Sequence, residues 1–267
     1  MTFKKIFIGI ILLLLIFLIA FFIYEHLSSK NKYYINQKNL QIPIYTYHDI
    51  VLNKNEIKEN YMQTTLNNFK NQINGLKNLG CTPITYQNLL DYHDSKVSIN
   101  KRSFIITFDD GYESIYKYVY PFIKEKNIPI TIFVIDNCIG TQNYLNWEQL
   151  KEMYNSGLVS IYSHGLNHIE YDKVDPSILL AQTEEAYLHI QQNLNDPNIL
   201  KVFAYPYGLY NEEDINILAE NGFIQNLMDG QINKTSNLNM SMLHRVYPLN
   251  DSVFKIILKQ IYKSIKY

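Results

Sequence analysis

From position 40 onward the chain alternates short β-branched and aromatic runs with stretches whose apolar residues recur every three or four positions. The runs predict strands over 42–47, 82–85, 103–108, 130–135, 159–162, 202–205 and 223–227. Between them the spacing predicts helices: Leu66, Phe69, Ile73 and Leu76 mark one, with Gly80 as its stop. Ile115, Val119, Phe122 and Ile123 mark a second, and Trp147, Leu150 and Met153 a third. Leu180, Tyr187, Leu188 and Leu194 follow, then Ile215, Leu218 and Ala219 closed by Gly222, and finally Val253, Ile256, Ile257 and Ile261. This alternation implies an α/β fold with a mainly parallel sheet, either an open doubly wound sheet or a barrel, and about seven strands lean to a barrel. In both architectures reactive residues collect just past the C-terminal ends of strands.

Four predicted strands end in turns that carry chemistry. The run 103–108 leads into Asp109-Asp110-Gly111. Adjacent carboxylates repel unless a cation or partner relieves them, so one can bind a metal while the other handles a proton. Gly111 permits a sharp turn, and a plain aspartate helix cap is the simpler alternative. The run 159–162 leads into Ser163 and on to His168, with His164 and His168 four apart. That spacing brings two imidazoles to one side of a helical turn, an arrangement that suits metal ligation. With Asp110 they supply three protein ligands and leave a position for water, as in catalytic zinc sites. The run 202–205 leads into Pro206-Tyr207-Gly208, where a backbone N–H could face a developing oxyanion, or which could be an ordinary turn. The first run delivers His48 and Asp49 to the same edge.

Composition removes several classes. With 24 Lys+Arg against 25 Asp+Glu, the chain lacks the basic excess of a nucleic-acid binder. A hydrophobic content of 47% excludes disorder as the main state. The 23 tyrosines suit a carbohydrate cleft, but a tyrosine-rich core rim explains them as well. Two cysteines, Cys81 and Cys138, cannot build a disulfide scaffold or a cysteine-ligated zinc module, and unpaired buried thiols are expected. At the N-terminus Lys4 and Lys5 precede an uncharged apolar run over 6–24, long enough to span a bilayer as a helix. Ala20 is followed by Phe21 and Phe22, a poor cleavage site, so the run reads as an uncleaved transmembrane signal anchor. Residues 1–5 then form a cytoplasmic tail, 25–39 a polar tether, and 40–267 one domain facing outside the cytoplasm.

TFDDG at 107–111, SHGLNH at 163–168 and FAYPYG at 203–208 resemble, in order, the motifs of the polysaccharide deacetylases, also called the NodB-homology family or carbohydrate esterase family 4. The resemblance extends over most of 40–267. IPIYTYHDI at 42–50 is similar to the branch that deacetylates the biofilm polymer poly-β-1,6-N-acetylglucosamine, where circular permutation moves the catalytic-histidine motif to the start of the domain. The family implies a distorted (β/α) barrel and a divalent metal, commonly zinc. By resemblance Asp110, His164 and His168 hold the metal, Asp109 is the general base and His48 the general acid, and the Tyr207 backbone N–H stabilises the oxyanion. Two positions depart from the pattern: Ala204 stands where the family has an Arg that orients the aspartate, and the Trp of a later motif is absent around 226–230. Arg245, in LHRVYP at 243–248, is the candidate to supply the missing charge, and His244 beside it is a second candidate acid behind His48. The expectation is a membrane-anchored hydrolase that removes N-acetyl groups from an amino-sugar polymer. Peptidoglycan, chitin oligomers and acetylated xylan are rival substrates, and a non-catalytic glycan-binding relative is the rival of a different class.

Overall fold

Seven parallel strands form the main sheet: β1 (Ile44–Tyr47), β2 (Ser103–Phe108), β3 (Ile130–Val134), β4 (Val159–Ser163), β5 (Val202–Ala204), β6 (Ile224–Leu227) and β7 (Leu243–His244). The computed structural model describes residues 33–34, 40–58 and 62–266. The strands pair in chain order, from Ile44 opposite Ile105 at one end to Leu227 opposite His244 at the other. Just past β7, Val246 meets β1: its N–H donates to the Ile44 carbonyl and its carbonyl accepts from the Thr46 N–H, each at 2.9 Å. The sheet is thereby a nearly closed barrel.

Strands covered on both faces are apolar at almost every position. That is why β2 reads SFIITF and β3 reads ITIFV without alternation, and both are buried throughout. Helix α1 (Leu66–Asn78) starts at Thr65, whose side chain accepts from the Asn68 N–H, and turns Phe69, Ile73 and Leu76 to the core. Phe69 packs edge-on against Tyr47, Phe108 and Phe122 with ring centroids 5.0, 5.4 and 6.0 Å away. The remaining helices are α2 (Tyr86–His93), α3 (Tyr120–Lys126), α4 (Trp147–Asn155), α5 (Pro176–Leu194), α6 (Glu212–Glu220) and α7 (Val253–Lys266).

The departures from expectation have local causes. Pro43 has no N–H to donate and splits 42–47, leaving Gln41–Ile42 antiparallel to Asn233–Lys234 and β1 in the barrel. The expected strand at 82–85 shrinks to Thr82–Pro83, which pairs with β2 off the main path. Its place in the count goes to β7, two residues long and too short to carry a period. Apolar spacing does not mark α2, whose signal is the reciprocal capping of Thr85 and Asn88. The helix expected from Ile115 begins as a π-helical turn, Ile115–Val119, before α3. Within the expected tether, Tyr33–Tyr34 pairs antiparallel with Ile99–Asn100. The 1–5 tail, the 6–24 anchor and the rest of the tether lie outside the described residues, among which no helix is long and apolar enough to cross a membrane. Cys81 and Cys138 are free thiols, each partly buried.

Candidate active site

The C-terminal edge of the barrel opens into a cleft of about 270 Å³. Strand β1 delivers His48 to it, β2 delivers Asp109 and Asp110, and the loop after β4 delivers His164 and His168. Tyr207 and Gly208 follow β5, and Arg245 and Tyr247 follow β7. The backbone here is strained. Asp110, His168 and Tyr207 adopt left-handed φ of +70°, +52° and +58° without being glycine, each a distortion of about 1–3 kcal/mol that surrounding structure must hold. The two histidines do not share a helical turn, as their spacing predicted. They flank a loop in which Gly165 (φ +85°) turns the chain, and their rings meet at 5.0 Å and 61°. A Cβ at Gly165 would come within 2.6 Å of the Tyr171 hydroxyl, so any other residue here would have to displace Tyr171 while holding a left-handed φ.

Asp110 Oδ1 lies 3.5 Å from Nε2 of both His164 and His168, and the three atoms fall within 4.8 Å of one another. Two ligands about 2.0–2.1 Å from one ion sit about 3.3 Å apart in tetrahedral geometry, so little movement separates this arrangement from a ligand set. Asp110 Oδ1 is buried with no hydrogen-bond partner among the described residues, an unstable condition for a carboxylate unless a cation joins it. The His164 Nδ1 lies 2.7 Å from the Ala204 carbonyl, which can only accept. Nδ1 therefore carries the proton and Nε2 keeps its lone pair toward Asp110. One carboxylate oxygen and two imidazoles fit a divalent transition-metal ion.

Asp109 faces a different partner. Arg245 Nη1 donates to Asp109 Oδ1 at 2.7 Å, and both residues are almost completely buried. Burial alone would raise Asp109, but the Arg245 guanidinium outweighs it and holds the carboxyl down to about 2. Burial, reinforced by the charge of Asp109, pushes Asp110 up to about 7. Burial lowers His164 to about 3 and lowers His48 and His168 as well, so all three imidazoles rest neutral. His48 Nε2 stands 3.9 Å from Asp109 Oδ2, its ring tilted 32° against Tyr247 at 5.7 Å. The cleft thus holds an ionised base, a neutral imidazole beside it, and a three-donor cation site.

The sequence pattern of the family described as "Polysaccharide deacetylase" matches residues 96–225. A polysaccharide deacetylase domain thus lies within this chain. It is 28% identical over 205 residues to a poly-beta-1,6-N-acetyl-D-glucosamine N-deacetylase of Staphylococcus aureus, covering 72% of this chain and 69% of that one. Its fold is similar to the Streptococcus pyogenes deacetylase PplD solved with acetate (TM-score 0.75, 23% identity, 83% of this chain and 99% of that one). It is also similar to IcaB from Ammonifex degensii (TM-score 0.72, 22% identity, 84% and 98%).

Within this deacetylase cleft, alternation along the chain after β7 decides which residues enter. Arg245 and Tyr247 point into the cleft, while His244 points away: its Nδ1 pairs with Asp229 Oδ2 at 2.6 Å in a separate cavity beside Gln231, Asn233 and Met242. His244, expected as a second candidate acid, is therefore not with the other site residues. Tyr112, Tyr247, Met62 and Met228 also line the deacetylase cleft and were not marked by sequence reasoning. Tyr112 directly follows Gly111, and Tyr247 shares the period-two face of Arg245, so both carried a readable positional signal.

Proposed function

We propose that this chain hydrolyses the acetamide groups of a poly-β-1,6-N-acetylglucosamine polymer outside the cytoplasm, with zinc held by Asp110, His164 and His168. One observation carries the reading: two adjacent aspartates in one cleft face different partners, Asp109 paired with Arg245 at 2.7 Å and Asp110 Oδ1 3.5 Å from Nε2 of both His164 and His168. The histidine motif at 42–50, ahead of the other motifs, and the name of the Staphylococcus aureus relative support the choice of polymer.

An acetamide is a weak electrophile with a poor leaving group. A divalent ion at the three donors would polarise the carbonyl and acidify a water. Asp109, kept ionised by Arg245, accepts a proton from the attacking water. The C–N bond breaks as the nitrogen gains the proton that Asp109 took from the water, passed on through His48 Nε2, which stands 3.9 Å from Asp109 Oδ2. The products are acetate and a polymer amine. The Tyr207 N–H, beside His168 on left-handed backbone, donates to the carbonyl oxygen as negative charge grows. We read 6–24 as the anchor, 25–39 as the tether and 40–267 as the catalytic domain.

The test is acetate release by the full chain, loaded with zinc or cobalt, from poly-β-1,6-N-acetylglucosamine, peptidoglycan and chitin oligomers. The first should be turned over, Asp110→Asn should lose both ion and activity, and Asp109→Asn should keep the ion while losing about 10²–10⁴-fold in rate. Release from peptidoglycan alone would remove the polymer assignment. No release from any substrate would leave only glycan binding.

A further inference from the structure

Eleven large apolar side chains are exposed among the described residues, and four of them, Phe254, Leu258, Ile261 and Tyr262, fall within nine residues of α7. Phe254, Leu258 and Tyr262 recur every four positions and make one stripe. The helix is seated on its other side, so the stripe is not a misplaced core face. Ile256 is 4% exposed, Val253 packs where a Cβ on Gly75 of α1 would collide, and Gln260 Nε2 donates to the Tyr45 hydroxyl of β1.

Charge says what such a stripe meets. Lys255 and Lys259 flank it and share Asp251, and the sequence adds Lys263 and Lys266. Segment 251–267 thus carries four lysines against one aspartate, and segment 1–39 carries five lysines against one glutamate. The body between them, 40–250, carries fifteen basic residues against twenty-three acidic ones. Both ends of an acidic domain are therefore basic and apolar. The entry to the barrel and the seat of α7 are also near each other along the chain: Tyr45, which holds Gln260, lies at most about 14 Å of chain beyond Gln41–Ile42.

We propose that α7 lies on an anionic lipid bilayer, with Phe254, Leu258 and Tyr262 in the boundary between headgroups and acyl chains and Lys255 and Lys259 on the lipid phosphates. Charge favours lipid over a second copy of this chain, because pairing α7 with α7 would set two lysine-rich segments against each other. Lipid phosphate also competes well for lysines that share a single aspartate.

The experiment uses the full chain with Trp147→Phe, so that one introduced indole reports alone, in phosphatidylglycerol vesicles with brominated or plain acyl chains. Residues 6–24 are present in every arm, so any contribution they make is common to all. Leu258→Trp and Tyr262→Trp should each lose emission in brominated vesicles, while Ile178→Trp, on α5 and 43% exposed, should keep it. Quenching should shrink in brominated phosphatidylcholine and vanish when Lys255→Glu and Lys259→Glu are added. Full emission from both α7 reporters in brominated phosphatidylglycerol, with melting curves matching the parent, would overturn the proposal. A cross-linked dimer lost with Phe254→Ser would also overturn it, by giving the stripe to a second copy. The readout does not depend on acetate release.

Discussion

Replacing Arg245 by methionine keeps most of the side-chain volume and removes the charge that holds Asp109. The pair is almost fully buried and joined at 2.7 Å, with Asp109 otherwise facing two imidazoles that rest neutral, His48 at 3.9 Å and His164 at 4.0 Å. Removing one partner of a buried pair costs about 3–5 kcal/mol, equivalent to about 2–4 pKa units on the carboxyl that remains. Asp109 would rise from about 2 into the range of about 4–6. The acid limb of the rate profile should therefore move up by a similar amount, with turnover at pH 5 suffering far more than turnover at pH 8. The stability change has a definite sign. A depressed carboxylate stabilises the fold above its unfolded value of about 3.9 and loses that contribution as pH falls through about 2. The variant should thus melt lower at neutral pH, by about 2–4 °C per kcal/mol lost. Arg245→Lys keeps the charge without the planar fork and should recover most of the acid limb but less of the rate. The assay is acetate release between pH 4.5 and 8.5 alongside thermal melts. An Arg245→Met enzyme with the parent acid limb and the parent rate would refute the argument.

Asp110, pushed up to about 7, binds a proton in competition with the ion, so apparent zinc affinity should fall about tenfold per pH unit between 7 and 5 in a chelator competition. In the ion-free chain a raised carboxyl contributes stability at low pH that is lost as pH rises through about 7, so zinc should raise the melting temperature more at pH 8 than at pH 6. His48→Ala should cost about 10²–10⁴-fold in turnover, whereas His244→Ala should leave the rate near the parent value, since its imidazole pairs with Asp229 in another cavity. Gly165→Ala forces a Cβ against Tyr171 at a left-handed φ and should destabilise the histidine loop by about 1–3 kcal/mol, read as weaker zinc binding at unchanged helix content.

The parallel sheet and its chemical edge were legible because strands buried on both faces must be apolar throughout, which makes β2 and β3 plain in the sequence. The turn residues announced themselves by standing just past those runs. What was illegible falls into two physical kinds. Elements such as β7 are set by long-range pairing and are too short to leave a period. Backbone devices such as the left-handed Asp110, His168 and Tyr207 belong to residue types that do not advertise them, and the helical turn expected for the two histidines failed for that reason. Arg245 lies between these cases. Its charge could be matched to the family arginine missing at Ala204, but its contact with Asp109 depends on which face the chain after β7 turns inward.

That exchange divides one position's work between two. By the motif resemblance an arginine is expected where this chain carries Ala204, whose carbonyl fixes the His164 tautomer at 2.7 Å. The guanidinium reaches Asp109 instead from the far side of the barrel closure, past β7, with Phe133 beneath it at 5.3 Å. A charge arriving from the closing segment ties the proton state of Asp109 to the joint between Val246 and β1. Loosening that joint would lengthen the 2.7 Å contact and raise Asp109 without touching any ligand of the cation site. Substitutions that weaken closure should therefore shift the acid limb of turnover while leaving zinc affinity in place. Substitutions in the histidine loop should do the opposite, and this separation follows only if Arg245 and the three donors act on different aspartates.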